Sequence, residues 1–203
     1  MYGKIDFIRR IRGILPEMGY RTIIGCSGRS RAMGTTLISL DYYLHETWGP
    51  DREYVDGEVV ERNMGEKDHA AWQSALVDWL RNYRHSANIR VFSELRMQTR
   101  ANRYRVPDVM VIDRAAPDEQ IITHAPLLCV EILSPEDRIS RMEEKLAEYF
   151  AAGVRSVWII DPRTQTGYQC EGPRFQDWKA TPVLTISGTP VRLEMRALIA
   201  DLD

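Results

Sequence analysis

Lysine is scarce in this chain, and so are cysteine, histidine and long apolar runs. Of 27 basic residues only Lys4, Lys67, Lys145 and Lys179 are lysines. Three cysteines (Cys26, Cys129 and Cys170) stand far apart, without CxxC or Cys/His ligand spacing. That argues against a disulfide framework and a zinc site, and for a reducing cytoplasm. No apolar run approaches the ~18–20 residues a membrane span needs, so the chain is not expected to cross a bilayer. The opening stretch KIDFIRRIRGIL lacks the uninterrupted apolar segment of a signal peptide.

With 44% hydrophobic and 28% charged residues, 203 residues suffice for one ordinary globular domain. The net charge of −2 hides an asymmetry. Residues 1–32 carry seven bases against two acids, a surplus of five that leaves −7 for the remainder. The glycine-rich, basic residues 1–33 are expected to be a loosely packed or mobile leader, and 34–203 one domain. MGTTLISLDYYL, from Met33, also reads as a natural beginning, and a chain starting there should keep the fold.

REYVDGEVVER alternates around Asp56-Gly57, the signature of a hairpin turn. KDHAAWQSALVDWLRNYR places Trp72, Leu76, Trp79, Leu80 and Tyr83 at helical spacing, with Asp68 as its N-cap. IRVFSELRMQT and RVPDVMVID then read as a strand and the strand that returns. LLCVEILSP is a buried strand ended by Pro135. Residues from about 137 to 152 form an amphipathic helix closed by Gly153, with Ile139, Met142, Leu146, Tyr149 and Phe150 on its apolar side, and SVWIIDP is the next strand. Strand, helix, strand implies a crossover joining parallel strands. Short strands (TGYQC, PVLTIS, PVRLEM) and a helical turn at RALIADL finish the chain. The expected fold is a mixed α/β domain.

Two acids sit where a buried strand should be apolar: Asp108 after Pro107, and Glu131 between Val130 and Ile132. Each alone reads as a structural acid answered by an arginine or backbone amides. Two on adjacent strands would repel, and one would take up a proton unless a cation lay between them. Hard carboxylate oxygens suit Mg²⁺ or Mn²⁺, with water filling the remaining positions. Lys145 lies on the crossover helix, one turn before Tyr149, where an ammonium can steady charge developing on a phosphate. On pattern alone, a solvated lysine offsetting Glu144 and Glu148 is the leading reading of it.

YVDGEVVE, DHAAWQ, RVPDVMVI, VEILSP and EEKLAEYFAAGVRSVWIIDP together resemble the Uma-type restriction endonucleases of the PD-(D/E)XK nuclease superfamily, over about residues 34–203. The resemblance implies a restriction-endonuclease-like αβββαβ core, a mixed sheet flanked by helices, with an N-terminal β-hairpin and C-terminal short strands. It implies metal-dependent hydrolysis of DNA, with Asp108 and Glu131 as the metal acids and the Ile132 carbonyl as a third ligand. The motif's lysine would stand two residues after Glu131, where this chain has Leu133. The resemblance moves that role to Lys145. Glu58, His69, Gln73, Ser134 and Tyr149 are supporting candidates. Arg96, Arg100, Arg103, Tyr104 and Arg105 are candidates for contact with nucleic acid. A homodimer would suit cleavage of both strands. The rivals are a non-catalytic binding module on the same fold and a nuclease acting on RNA.

Overall fold

A computed structural model describes residues 37–48, 52–62 and 66–202, all within one compact unit. The expectations for residues 1–33 and Cys26 lie outside the described residues. Helix α1 (Leu40–His45) is followed by the hairpin β1 (Glu53–Val55) and β2 (Glu58–Val60). Asp56 and Gly57 both take positive φ, 49° and 100°, as the tight turn between twisted strands demands. Helix α2 (Lys67–Arg81) leads to β3 (Ile89–Ser93), β4 (Met97–Arg100), β5 (Arg103–Arg105) and β6 (Val109–Asp113). Then come β7 (Leu128–Ile132), α3 (Ile139–Ala151) and β8 (Ser156–Asp161). The chain finishes with β9 (Thr166–Cys170), β10 (Trp178–Ala180), β11 (Val183–Thr185), β12 (Arg192–Glu194) and α4 (Met195–Ala200).

The main sheet has six strands in the order β10-β9-β8-β7-β6-β3. β7 and β8 are parallel and joined through α3, so the crossover read from the sequence is present. Side chains alternate between two cores across this sheet. Val109, Val111, Leu128, Val130, Trp158 and Ile160 face α2 and α4, packing with Trp72, Leu76 and Leu80. Met110, Cys129, Val157 and Ile159 face α3, packing with Met142, Leu146 and Tyr149. α3 ends where Gly153, at φ 82°, lets its own N–H reach Phe150 O and that of Val154 reach Tyr149 O. Cys129 and Cys170 are buried free thiols, and no described helix is long and apolar enough to cross a membrane.

Two long strands expected from the sequence are each broken in two. β3 pairs with β6, but β4 pairs with β5 in a second, four-stranded sheet ordered β2-β1-β5-β4. The breaks face each other: Glu94, at φ 52°, lies opposite Pro107-Asp108 and its N–H reaches the Asp108 carbonyl at 3.3 Å. Pro107 offers no N–H to a ladder, so the ribbon bends there and feeds two sheets. Two smaller expectations also change. α2 begins at Lys67 with Glu66 at the N-cap, so Asp68 sits inside its first turn. Ile139 points to solvent instead of the core. The four-stranded sheet meets α1 through a tyrosine cluster, with the rings of Tyr43 and Tyr54 stacked at 5.0 Å.

Candidate active site

β6 stops pairing one residue short of Asp108, which leaves the end of β7 without a backbone partner on that side. The Asp108 carboxylate fills the gap: its Oδ2 accepts the Ile132 N–H at 2.7 Å. The acid is tolerated in the core because it replaces a ladder bond at the point where proline ended the ladder. Gln73 of α2 fixes the same corner by donating to the Asp108 carbonyl at 2.9 Å. His69, one turn earlier, approaches Asp108 Oδ2 at 3.3 Å, and Arg62 donates to Oδ1. Burial would raise the Asp108 carboxyl, but the His69 hydrogen bond and the Arg62 charge outweigh it and hold the group below its ordinary range. The same bond to Asp108 raises His69.

Glu131 projects to the α3 face of β7, where two side chains one helical turn apart meet it. Lys145 Nζ donates to Oε2 at 2.9 Å and the Tyr149 hydroxyl to Oε1 at 2.5 Å. Burial, with Asp108 and Glu53 adding to it, outweighs Lys145 and pushes Glu131 up to about 7. Burial would lower the Lys145 ammonium, yet Glu131, Glu53 and Asp108 together raise it, so Lys145 stays charged. The solvated-lysine reading is therefore corrected: the Lys145 side chain is only 14% exposed and bridges two buried acids.

Asp108, Glu131, Ile132, His69, Ser134 and Lys145 line one open pocket. Glu58 does not line it; Glu53, at the other end of the hairpin, does. The register Glu53↔Val60 and Val55↔Glu58 leaves Glu58 beside the turn and carries Glu53 deep, where it meets Lys145 at 3.2 Å. Tyr149 is buried behind Glu131 and positions that carboxylate. Gln73 acts on the backbone of Asp108 and lies outside the pocket.

The arginine-rich hairpin is corrected more sharply. Tyr104 is 6% exposed, inside the tyrosine cluster. Arg105 is 4% exposed, held by Glu53 at 2.8 Å and by both oxygens of Glu148 at 2.8 and 2.7 Å. Arg103 is bound by Asp56, Glu144 and Glu148, and Arg96 lies half-buried over the Tyr43 ring. Only Arg100 of this group is exposed. In β5, strand alternation sends Arg103 and Arg105 to one face toward acids of β1 and α3, not to solvent.

The sequence reading missed Glu53 and Arg62, and gave Arg105 to nucleic acid instead of to Glu53 and Glu148. A signal existed for two of them: alternation sets EYV of β1 beside RYR of β5, with Tyr54 opposite Tyr104, and this aligns the flanking Glu and Arg. Nothing local marks Arg62.

A divalent ion fits this donor set. Glu53, Glu61, Asp108, Glu131 and Asp137 line the pocket. Cations answer most of them: Arg62 faces Asp108, Lys145 faces Glu131 and Glu53, Arg105 faces Glu53, and Arg52 faces Glu61. Each carboxylate oxygen accepts about two bonds, so those of Asp108 and Glu131 keep acceptor capacity beyond their present partners. Among the described residues no three His, Cys, Asp or Glu side chains gather into a metal cage. Mg²⁺ characteristically uses one or two carboxylates and completes its shell with water and phosphate, whereas zinc uses a closed His or Cys set.

Residues 40–193, about three quarters of the chain, match the Uma2 family, described as "Putative restriction endonuclease". No curated protein matches the chain. The crystal structure of a "putative nuclease belonging to DUF820" from Anabaena variabilis superposes with a TM-score of 0.70 at 24% identity. It covers 82% of this chain and 99% of that one, and establishes the likeness of fold. A DrdV–DNA complex overlaps at TM-score 0.37 and 17% identity, over 66% of this chain and 10% of that one, too loosely to carry an argument.

Proposed function

The chain belongs to the Uma2 family, and from that premise we propose that its pocket hydrolyses DNA phosphodiester bonds with the help of Mg²⁺ or Mn²⁺. One observation carries the reading: two buried acids and a largely buried lysine, from a strand break, a strand and the crossover helix, converge on one open pocket. Asp108, Glu131 and the Ile132 carbonyl would hold the ion. When bound, it supplies positive charge to the phosphate and acidifies water.

The chain's own groups do the rest. Lys145, fixed between Glu53 and Glu131, presents a localised positive charge where the phosphate becomes more anionic. Arg141, exposed at the rim, suits a phosphate oxygen. Tyr149 holds Glu131 in one rotamer, and the Ile132 N–H and Gln73 fix Asp108. Such positioning shortens the search for a reactive geometry.

The test is cleavage of plasmid and short duplexes with Mg²⁺, Mn²⁺ or EDTA, by the native chain and by Asp108→Asn and Glu131→Gln. Metal-dependent cleavage lost in both variants is expected; equal cleavage in EDTA, or by either variant, would overturn the proposal. One observation favours a non-catalytic module: Arg62 and Lys145 already neutralise part of each acid's charge. In that case no metal concentration produces cleavage of DNA. An RNA oligonucleotide in the same assay separates the third reading.

A further inference from the structure

Beside the pocket lies a second hollow of about 190 Å³, and Ser134, Asp137 and Met142 line both. Its character differs. The exposed large apolar side chains among the described residues include Ile139 and Phe175, each 52% exposed, and both belong to this hollow. Phe175 stands edge-on to Trp178 at 5.1 Å and Trp178 edge-on to Tyr168 at 6.4 Å. The Trp178 ring is 7% exposed, and its indole N–H is buried with no hydrogen-bond partner among the described residues.

The aromatic rim is anchored to the crossover helix. Glu143 of α3 accepts the Phe175 N–H at 2.8 Å and faces Arg174 at 3.4 Å. The same helix carries guanidinium groups along the seam: Arg138 at its N-cap lines the hollow, and Arg141 lines the pocket. Both side chains belong to exposed residues. Aromatic faces and edges with flanking guanidiniums are what a nucleobase with its adjoining phosphates requires. An aliphatic peptide would leave the arginines unused.

We propose that this hollow is a nucleobase subsite, taking one unstacked base of the substrate strand next to the phosphate held in the pocket. It rests on the nuclease reading of that pocket, and narrows the substrate to single-stranded DNA or a strand whose base has left the stack. A base inside an intact duplex shows no face to Phe175, so paired DNA must first release one.

The experiment is fluorescence anisotropy with a short labelled single strand of DNA and its duplex, at low salt with Ca²⁺, the strands being recovered intact. The native chain should bind the single strand more tightly than the duplex. Phe175→Ala should weaken single-strand binding about tenfold, the order of one lost base–aromatic stack, and leave duplex binding and the melting temperature unchanged. Phe175→Trp should restore it. Equal affinity for both forms, no binding of either, or a Phe175→Ala variant that binds the single strand normally would overturn the subsite. Binding is read without cleavage, so the two proposals fail separately. A chain that never cuts yet shows Phe175-dependent binding keeps the subsite and loses the nuclease. One that cuts with Phe175-independent binding does the reverse.

Discussion

Two groups of buried charge lie side by side here, built from the same residue types, and they differ in what is left over. In the inner group every carboxylate oxygen is answered from within. Glu148 Oε1 faces Arg103 and Arg105, its Oε2 accepts from Arg105 and Thr99, and Glu53 accepts from Arg105 and the Val106 N–H. The outer group, around Asp108 and Glu131, borders an open pocket, and its carboxylate oxygens keep acceptor capacity beyond their present partners. A balanced network fixes two sheets and a helix in register. A network that opens on a pocket keeps oxygen atoms to offer a ligand. Burial alone does not distinguish them, since Glu53, Asp108 and Glu131 are all 3–4% exposed.

The comparison breaks if the outer acids prove structural. Asp108→Asn or Glu131→Gln should reduce cleavage by about 10³-fold, the upper scale for losing one preorganised electrostatic group. The melting temperature of Glu131→Gln should stay near the native value or rise, because burial, Asp108 and Glu53 already oppose the Glu131 charge. Unfolding at ordinary temperature, with cleavage per folded molecule retained, would place Glu131 in the structural group. Lys145→Ala should cost about 10²-fold in turnover. It should also lower the melting temperature, since Glu53 and Glu131 would share no cation, so rates are read per folded molecule.

The inner group should respond in the opposite sense. Arg105→Met leaves Glu53 and Glu148 buried without their main partner and should cost about 3 kcal/mol of stability by denaturant unfolding. The turnover of molecules that remain folded should change less than in the pocket variants. A larger loss of turnover than of stability would show that the groups act as one through Glu53. Acid should reveal the same network. Burial would raise Glu148, but Arg105 and Arg103 outweigh it and hold it below its ordinary 4.5. Its contribution is therefore complete above about pH 4.5 and is lost as pH falls through the lowered folded value. Stability measured against pH should fall in that window, and Glu148→Gln should flatten the fall.

The sequence made the main sheet and its crossover legible because apolar period and turn chemistry there agree. Val109 to Ile112 and Leu128 to Ile132 alternate between two cores, and Gly153 closes α3 as its position suggests. Asp108 and Glu131 were legible as anomalies against that pattern. The division of one ribbon into two sheets was not, because Pro107 marks a break without saying that Glu94 opposite will take a positive φ. The arginines were misread for a related reason. Which face of β5 is covered depends on β1 and α3 arriving over it, a tertiary fact that RYR does not encode. Glu53 escaped because proximity to the hairpin turn suggested Glu58, whereas depth from the turn decides which acid reaches Lys145.

The smallest effect is expected at Arg100, and it sharpens the contrast with its neighbour in space, Arg103. Both guanidiniums pair with Asp56, Arg100 at 3.2 Å and Arg103 at 2.7 Å. The Arg100 side chain is 59% exposed and Asp56 52%, so water screens the pair, and Arg100→Ala should cost under about 1 kcal/mol. Arg103 is 12% exposed and also faces Glu144 and Glu148, so its removal unbalances the inner group and should cost distinctly more. Added salt should erase the Arg100 difference first, because exposed pairs are screened within about 8–10 Å at moderate ionic strength. Arg100 is also the one exposed arginine of the hairpin that remains available to a phosphate. If DNA reaches this edge, Arg100→Ala should reduce the salt slope of binding by about one while leaving the melting temperature in place. An unchanged slope would confine the DNA contact to the pocket and its aromatic neighbour, and leave the whole of β4 and β5 to the structural group.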